Sequence, residues 1–122
     1  MNKIDDDEHS KFEGSQTILE KCKLTEEEMG EYLEKTKELD KKVDHSRAYR
    51  TLSNPTRREL LIFIGDNVRT FQELRNKFEL DEDQLNYHLS MLEQLFYLMN
   101  TKSGWKATPR GIGFLENTIL GE

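Results

Sequence analysis

The sequence predicts a mainly α-helical fold that carries one small β-hairpin. From about residue 24 onward, apolar residues recur at the three- and four-residue spacing of helices that bury one face. Residues that commonly begin helices, such as Thr25, Pro55 and Thr70, stand at the start of these patterns. Near the C-terminus, the short runs YLMNT and WKAT are joined by KSG, which is typical of a tight hairpin.

The charge of the 122-residue chain is unevenly distributed. The formal net charge is −6, but residues 1–42 hold 8 Lys and Arg against 13 Asp and Glu, whereas residues 43–122 hold 10 against 11. Residues 1–23 include the run DDDE and show no sustained apolar period, so we predict a flexible acidic arm there. In the rest of the chain, local clusters of basic residues can attract phosphate although the whole molecule is acidic. These residues are Arg47, Arg50, Arg57, Arg58, Lys102, Lys106 and Arg110.

Several classes of protein are disfavoured. Cys22 is the single cysteine, so the chain offers no internal disulfide and no set of thiolate ligands, as is usual in a reducing cytoplasm. The longest apolar runs, such as residues 60–64, are too short to span a membrane, and the first residues do not resemble a signal peptide. We find no nucleophile triad, phosphate-binding loop or carboxylate pair. We therefore predict a soluble, cytoplasmic protein that is not an enzyme and uses no metal or cofactor.

Residues 24–43 are predicted to form an N-terminal helix. Thr25 and Glu28 have the spacing of a capping box, which satisfies the free N–H groups at a helix start. A stripe of residues follows at alternating spacings of three and four, as in a short coiled coil. The stripe consists of Met29, Tyr32, Thr36, Leu39 and Val43. It is either a seam between two copies of the chain or the face of a helix that packs on its own domain.

Residues 44–122 are predicted to form the main domain. A first helix ends at SNP, because the residue before a proline avoids helical geometry, and the next helix begins at Pro55. The very short strand VRT and the helix TFQELRNKF follow, and then a helix over residues 81–96. A hairpin over residues 97–108 and a last helix from Pro109 complete the domain. This order is that of a winged helix-turn-helix with an added N-terminal helix.

Helix 81–96 has one apolar and one polar face. A rotation of 100° per residue turns Leu85, Leu89, Leu92 and Phe96 inward. The same rotation turns Asp83, Tyr87, Ser90 and Gln94 outward, flanked by Gln84, Asn86 and Met91. We also expect Ala48, Tyr49, Leu52 and Trp105 to lie in the core, since they are apolar or aromatic and most fall on inward-facing positions.

Three fragments, LSNPTRRELL, FQELRNKFELDEDQLNYHLSMLEQ and WKATPRG, occur in order within residues 45–115. In these fragments the sequence resembles the ArsR-type winged helix-turn-helix transcriptional regulators and their archaeal relatives. The resemblance implies that the chain binds operator DNA as a homodimer, with helix 81–96 in the major groove. It also implies that the hairpin over residues 97–108 is a wing that touches the flanking backbone.

The resemblance implies two sets of DNA contacts. The residues that would read bases are Gln84, Asn86, Tyr87 and Ser90, whose side chains suit adenine, base edges or phosphate. The residues that would contact phosphate are Arg57, Arg58, Lys102, Lys106 and Arg110. For Arg57 and Arg58, ordinary solvation or a salt bridge to the preceding helix is an alternative. His88 matches the histidine of the family's HL pair, and we expect a hydrogen-bonded structural role for it.

The chain departs from the family pattern in three respects. Phe96 stands where relatives often have glycine, so we expect helix 81–96 to run on towards Leu98. Asp83 points outward, where it accepts from a cytosine amino group or repels phosphate. The paired cysteines or C-terminal histidines of the family's metal sites are missing, so we expect no metal.

Two functions therefore remain open. The first is a homodimeric, DNA-binding transcriptional regulator that binds double-stranded DNA. The alternative is a winged-helix protein-interaction module of the transcription apparatus with little or no DNA binding, in which the acidic N-terminal region engages a protein partner. The net charge of −6, the position of Asp83 and the departure at Phe96 favour the alternative.

Overall fold

The computed structural model describes residues 17–39 and 41–120, except for the side chains of residues 41–43 and 118–120. A helical turn at residues 17–21 comes first. The helices that follow are α1 (Glu26–Thr36), α2 (Lys41–Leu52), α3 (Pro55–Ile64), α4 (Phe71–Phe78) and α5 (Glu82–Gln94). Strands β1 (Leu98–Thr101) and β2 (Gly104–Ala107) precede the last helix, α6 (Pro109–Leu120). The predicted fold class, mainly α with a small hairpin in a winged-helix arrangement, is confirmed.

The core lies where α3, α4 and α5 meet. Its central side chains are aliphatic and fully shielded from solvent: Leu60, Leu61, Ile64, Leu74, Leu85, Leu89 and Leu92. Burying one such side chain contributes about 1.5–3 kcal/mol, so this cluster stabilises the helix-turn-helix unit. Trp105 is buried as predicted, whereas Tyr49 is 75% exposed and the prediction of a core position for it is wrong.

The helix starts follow the predicted caps. Capping boxes occur at Thr25 with Glu28 and at Thr70 with Glu73. Asn54 caps α3 by accepting from the backbone N–H of Arg57, and Pro55 takes the first helical position. These bonds are local in sequence, which is why the residue pattern alone was sufficient to predict them.

The hairpin is joined to the chain segment that precedes α4. Strands β1 and β2 are antiparallel, with Thr101 opposite Gly104. Arg69 and Trp105 exchange backbone hydrogen bonds of 3.0 and 2.7 Å, so the predicted strand VRT is a single bridge. Gly104 is required here, because its φ is 135° and an added Cβ would lie 2.7 Å from the Arg69 carbonyl oxygen.

Helix α5 ends at Gln94, so the expectation that it runs on towards Leu98 is wrong. Phe96 adopts the left-handed conformation, with φ 64°, although it is not glycine. The Phe96 N–H donates to the Glu93 carbonyl at 2.9 Å, and the Tyr97 N–H donates to the Leu92 carbonyl at 3.0 Å. This pattern is a Schellman motif, whose bonds offset the cost of a side chain in the left-handed region.

The predicted single helix over residues 24–43 is also wrong, because α1 ends at Thr36 and α2 begins at Lys41. The Thr36 hydroxyl donates to the Tyr32 carbonyl at 2.8 Å, and the Leu39 N–H donates to the Thr36 carbonyl at 3.2 Å. These bonds close a turn at the end of α1. The predicted stripe is therefore interrupted, and the side chain of Val43 lies outside the described residues.

Helix α1 packs on its own domain. Glu28 forms an ion pair with Lys106 of β2 at 2.8 Å, and Met29, Tyr32 and Leu39 are half-buried. The Tyr32 hydroxyl lies beside Thr108 and the backbone of the last helix, and burial raises the pKa of Tyr32. Of the two readings of the stripe, these contacts favour packing within the chain.

The prediction of a flexible arm over residues 1–23 does not hold for the part of it that the structure describes. Within residues 17–21 the chain is helical, and Ile18 and Cys22, one turn apart, pack against the core. Lys21 forms an ion pair with Glu116 of α6 at 2.8 Å. The prediction is therefore wrong for residues 17–22, and residues 1–16 lie outside the described residues.

Candidate nucleic-acid interface

The polar face of α5 is the candidate interface. The three leucines that anchor this helix, Leu85, Leu89 and Leu92, are fully buried, so the opposite side of the helix faces outward. Tyr87 is 57% exposed on that side, and Asn86 beside it is also exposed. Two of the predicted base-reading residues therefore lie together on an open surface.

Cationic residues flank this surface on both sides. Arg47 and Arg50 of α2 line a groove together with Tyr87 and Met91. On the other side, Asn86 shares a second groove with Lys102, in the loop of the hairpin. Arg47 and Arg50 were part of the basic cluster in the sequence but were not assigned to the site. Their spacing of three residues, which puts them on one helix face, was the signal that could have found them.

The other two predicted base-reading residues are partly engaged within the helix. The side chain of Gln84 completes the capping box of α5, and its Oε1 accepts from the Asp81 N–H at 3.3 Å. The half-buried hydroxyl of Ser90 accepts from the Gln94 side chain at 3.2 Å. By contrast, Asn86 forms no side-chain hydrogen bond with the residues that the structure describes.

Arg57 is not on the surface as predicted, because its side chain turns into the protein. The residue is 8% exposed, and its Nε donates to His88 Nδ1 at 3.2 Å. Its Nη1 donates to the Thr51 carbonyl at 3.4 Å, and its Cζ lies 5.3 Å from the centre of the Tyr87 ring. The predicted phosphate contact is therefore corrected to an internal role.

His88 has the hydrogen-bonded structural role that the sequence predicted. Because an arginine only donates, Nδ1 of His88 must carry a lone pair, and the ring proton is then on Nε2. Burial lowers the pKa of His88, and the positive charge of Arg57 lowers it further. A neutral imidazole is therefore the form that fits this site.

Lys106 and Arg110 are also corrected, because acids of the same chain neutralise them. The side chain of Lys106 is 5% exposed and its Nζ lies 2.8 Å from Glu28. Arg110 Nη2 lies 2.6 Å from both carboxylate oxygens of Asp44, and its Cζ is 4.7 Å from the centre of the Tyr97 ring. Because an acid of the same chain neutralises each of these two cations, neither is available to pair with a DNA phosphate.

The two remaining predicted phosphate contacts, Lys102 and Arg58, have side chains that are at least partly exposed to solvent. Lys102 is exposed at the tip of the hairpin. Arg58 is half-buried, and its Nη1 donates to the Leu52 carbonyl at 2.8 Å. Of the five predicted contacts, Lys102 thus matches the expected placement best.

Acidic side chains lie at the N-terminal end of α5. Asp81, Glu82 and Asp83 are exposed, and Glu82 lies 3.8 Å from Arg75 of α4. Asp81 accepts from the Gln84 N–H at 2.8 Å and so serves as the cap. Of the three acids, Asp83 is the one that forms neither a cap nor an ion pair with the residues that the structure describes.

The described residues contain no group of three or more His, Cys, Asp or Glu side chains arranged to hold a metal ion. Over the same part of the chain, no helix has both the length and the apolar composition needed to cross a membrane.

Comparisons with known proteins identify no family. No family model and no solved structure matches the chain. An uncharacterized protein from Archaeoglobus fulgidus is similar, with 29% identity over 72 residues, which cover 59% of this chain and 83% of that protein. The similarity is too low to assign a family and brings no function with it.

Proposed function

We propose that the chain is a transcriptional regulator that binds double-stranded DNA through α5 and the hairpin. The observation that carries the proposal is the open face formed by Asn86 and Tyr87, with cationic residues on both sides. An exposed helix face of this kind fits the major groove, and the flanking cations then lie near the two phosphate backbones.

The phosphate contacts in this proposal differ from those expected from the sequence. Arg47 and Arg50 replace the buried Arg57, and Lys102 acts for the hairpin. Such contacts supply the sequence-independent part of the affinity and make it depend on salt. Asn86 suits adenine, because its amide can donate and accept at the same base edge.

The acidic residues at the start of α5 lower the affinity for DNA but do not prevent binding. Asp81 is engaged as the helix cap and Glu82 lies near Arg75, so both have a role in the fold. Asp83 is exposed and either accepts from a cytosine amino group or repels phosphate. We therefore propose selective binding of moderate strength.

A homodimer is part of this proposal. Two copies would present two α5 helices to successive major grooves, which explains why helix-turn-helix proteins usually bind as dimers. The described α1 residues of the predicted seam are half-buried in their own domain, so we propose no particular seam for the dimer. Sedimentation of the full chain will test whether it is dimeric. We also propose a cytoplasmic location, because a chain with a single cysteine suits a reducing compartment.

The experiment is a fluorescence anisotropy titration with duplexes from the DNA upstream of the chain's own gene, at several salt concentrations. Each phosphate contact contributes a slope of about −0.9 to log affinity against log salt concentration. Arg50→Gln should therefore make the slope shallower by about 0.9. Lys21→Gln is the matched control, because Lys21 loses the same charge but lies in a different groove, next to Glu116. The proposal fails if no duplex binds, or if both variants change the slope alike.

A second candidate is a protein-interaction module of the transcription apparatus. It is favoured by a specific observation: Arg57, Lys106 and Arg110 are neutralised or buried, while Asp83 remains exposed. This candidate predicts that no duplex binds at any salt concentration, whereas a protein partner with a basic surface binds the acidic end of α5. The Asp83→Asn variant tests the second candidate, which predicts that it weakens partner binding. Under the first candidate it strengthens DNA binding if Asp83 repels phosphate and weakens it if Asp83 accepts from a cytosine amino group.

A further inference from the structure

Arg57 lies beneath Tyr87 at the centre of the candidate interface. It is held at three points: its backbone N–H by Asn54, its Nε by His88 and its Nη1 by the carbonyl of Thr51. The same guanidinium lies 5.3 Å from the centre of the Tyr87 ring. An arginine that is 8% exposed and held in this way is part of the framework under the surface.

We propose that Arg57 is a positioning residue for DNA recognition: held by His88 and Thr51, its guanidinium fixes the ring of Tyr87 on the outward face of α5 and binds no phosphate itself. The inference rests on the proposed function, because it assigns a role in the same surface. His88 is a second positioning residue in this proposal, because it holds Arg57 in place, and neither of the two contacts DNA itself.

The ring of Tyr87 has two neighbours, Arg57 and His88. The guanidinium of Arg57 is attracted to it by a cation–π interaction. The ring of His88 is 5.6 Å away at an interplanar angle of 59°. A tyrosine on an exposed helix face otherwise samples several rotamers, and ordering it on binding costs entropy. Support from below removes part of that cost before DNA arrives.

Only an arginine fits these contacts. Its planar group carries five donors in a fixed fork, so it reaches His88 and Thr51 at once while its Cζ lies over the ring of Tyr87. A lysine carries the same charge on a single nitrogen and cannot make this set of contacts. The comparison of lysine with arginine therefore separates a positioning role from a purely electrostatic one.

The first experiment measures DNA affinity and its salt dependence for Arg57→Lys and Arg57→Gln. If Arg57 is a positioning residue, both variants bind about tenfold more weakly, the effect of one lost supporting contact, and the salt slope is unchanged. Arg50→Lys and Arg50→Gln are the matched controls, because Arg50 lines the same groove and is exposed. There the lysine variant should bind like the wild type, and the glutamine variant should make the slope shallower by about 0.9.

Either of two results overturns the inference. One is that Arg57→Lys binds like the wild type, which would mean that charge alone matters. The other is that Arg57→Gln changes the slope as Arg50→Gln does, which would make Arg57 a phosphate contact. If Arg57→Gln does not fold, Arg57→Lys still decides, because it keeps the charge and the aliphatic stem.

The second experiment needs no DNA. Proton NMR of the full chain reports the pKa of His88 and the nuclear Overhauser effects between the rings of Tyr87 and His88. In Arg57→Gln the pKa of His88 should rise, since a neighbouring positive charge is lost, and the ring contacts should weaken. If the wild type binds no duplex, the proposed function fails, and the role of Arg57 in binding fails with it. Unchanged ring contacts in Arg57→Gln overturn the positioning itself, whether or not DNA binds.

Discussion

Arg110 donates from Nη2 to both carboxylate oxygens of Asp44 at 2.6 Å, and this ion pair joins α6 to α2. The two side chains are 21% and 14% exposed, so water solvates them only in part. Removing one partner would leave the other charged and poorly solvated. The pair therefore holds together two helices that are distant in sequence and that pack around the core.

We expect Asp44→Asn to lower the free energy of unfolding by about 1–3 kcal/mol, because Arg110 loses a charged partner. Urea unfolding followed by circular dichroism measures the change. The exposed pair of Glu31 with Lys35 is the control, and Glu31→Gln should change little, since both side chains are more than half exposed. Equal effects of the two substitutions would mean that the partial burial of the first pair is unimportant.

We expect Glu28→Gln to lower the free energy of unfolding by about 1 kcal/mol at neutral pH, because the nearly buried Lys106 loses its ion pair. Burial raises the pKa of Glu28, but the hydrogen bonds from Lys106 and the Thr25 N–H outweigh it, so the net pKa lies below its usual value of 4.5. A lowered pKa contributes stability above pH 4.5 that is lost as the pH falls through the folded-state pKa. The difference between wild type and variant should thus disappear in acid, which urea unfolding at several pH values will show.

His88 should make stability depend on pH in a second range. Its pKa lies below the usual 6.5, because burial disfavours the charged ring and the positive charge of Arg57 disfavours it further. The unfolded chain therefore binds a proton more readily than the folded one, and stability falls as the pH drops below about 6.5. In His88→Gln this part of the pH dependence should vanish. If the free energy of unfolding falls equally in His88→Gln and in the wild type between about pH 7.5 and pH 5, the assignment of this pH dependence to His88 is contradicted.

Phe96 offers a test of backbone strain by a matched pair of variants. Phe96→Gly and Phe96→Ala both lose the packing of the ring. They then differ in the cost of the left-handed conformation at φ 64°, which favours glycine, and in the greater freedom of glycine in the unfolded chain, which offsets part of that gain. We expect the glycine variant to be more stable by about 1 kcal/mol. Thermal unfolding measures this difference. A glycine variant no more stable than the alanine variant would show that the Schellman motif opens when the ring is absent.

The order of the helices could be predicted from the sequence, because their caps depend on residues three or four positions apart. The capping boxes of Thr25 and Thr70 and the inward leucines of α5 are of this kind. Tyr49 was misplaced because α2 is only weakly amphipathic, so its apolar residues did not define one face.

Whether a basic side chain faces solvent or pairs with an acid of the same chain could not be predicted in the same way. Glu28 and Lys106 are 78 residues apart, and Asp44 and Arg110 are 66 apart, so only the folded chain brings each pair together. The helical turn at residues 17–21 was missed because one turn is too short to show a period. Its two anchoring side chains find their neighbours only in the folded chain, where Ile18 lies near Gly113 of α6 and the Cys22 thiol donates to the Ala107 carbonyl of β2.

The bridge between Arg69 and Trp105 makes the hairpin and the two helices of the motif one unit, since it clamps β2 to the residue pair that leads into α4. The bridge therefore fixes the separation between the hairpin tip and the outer side of α5. Under the proposed function, a bound duplex has to match this fixed separation, so the spacing of its contact points contributes to selectivity in addition to the individual side chains.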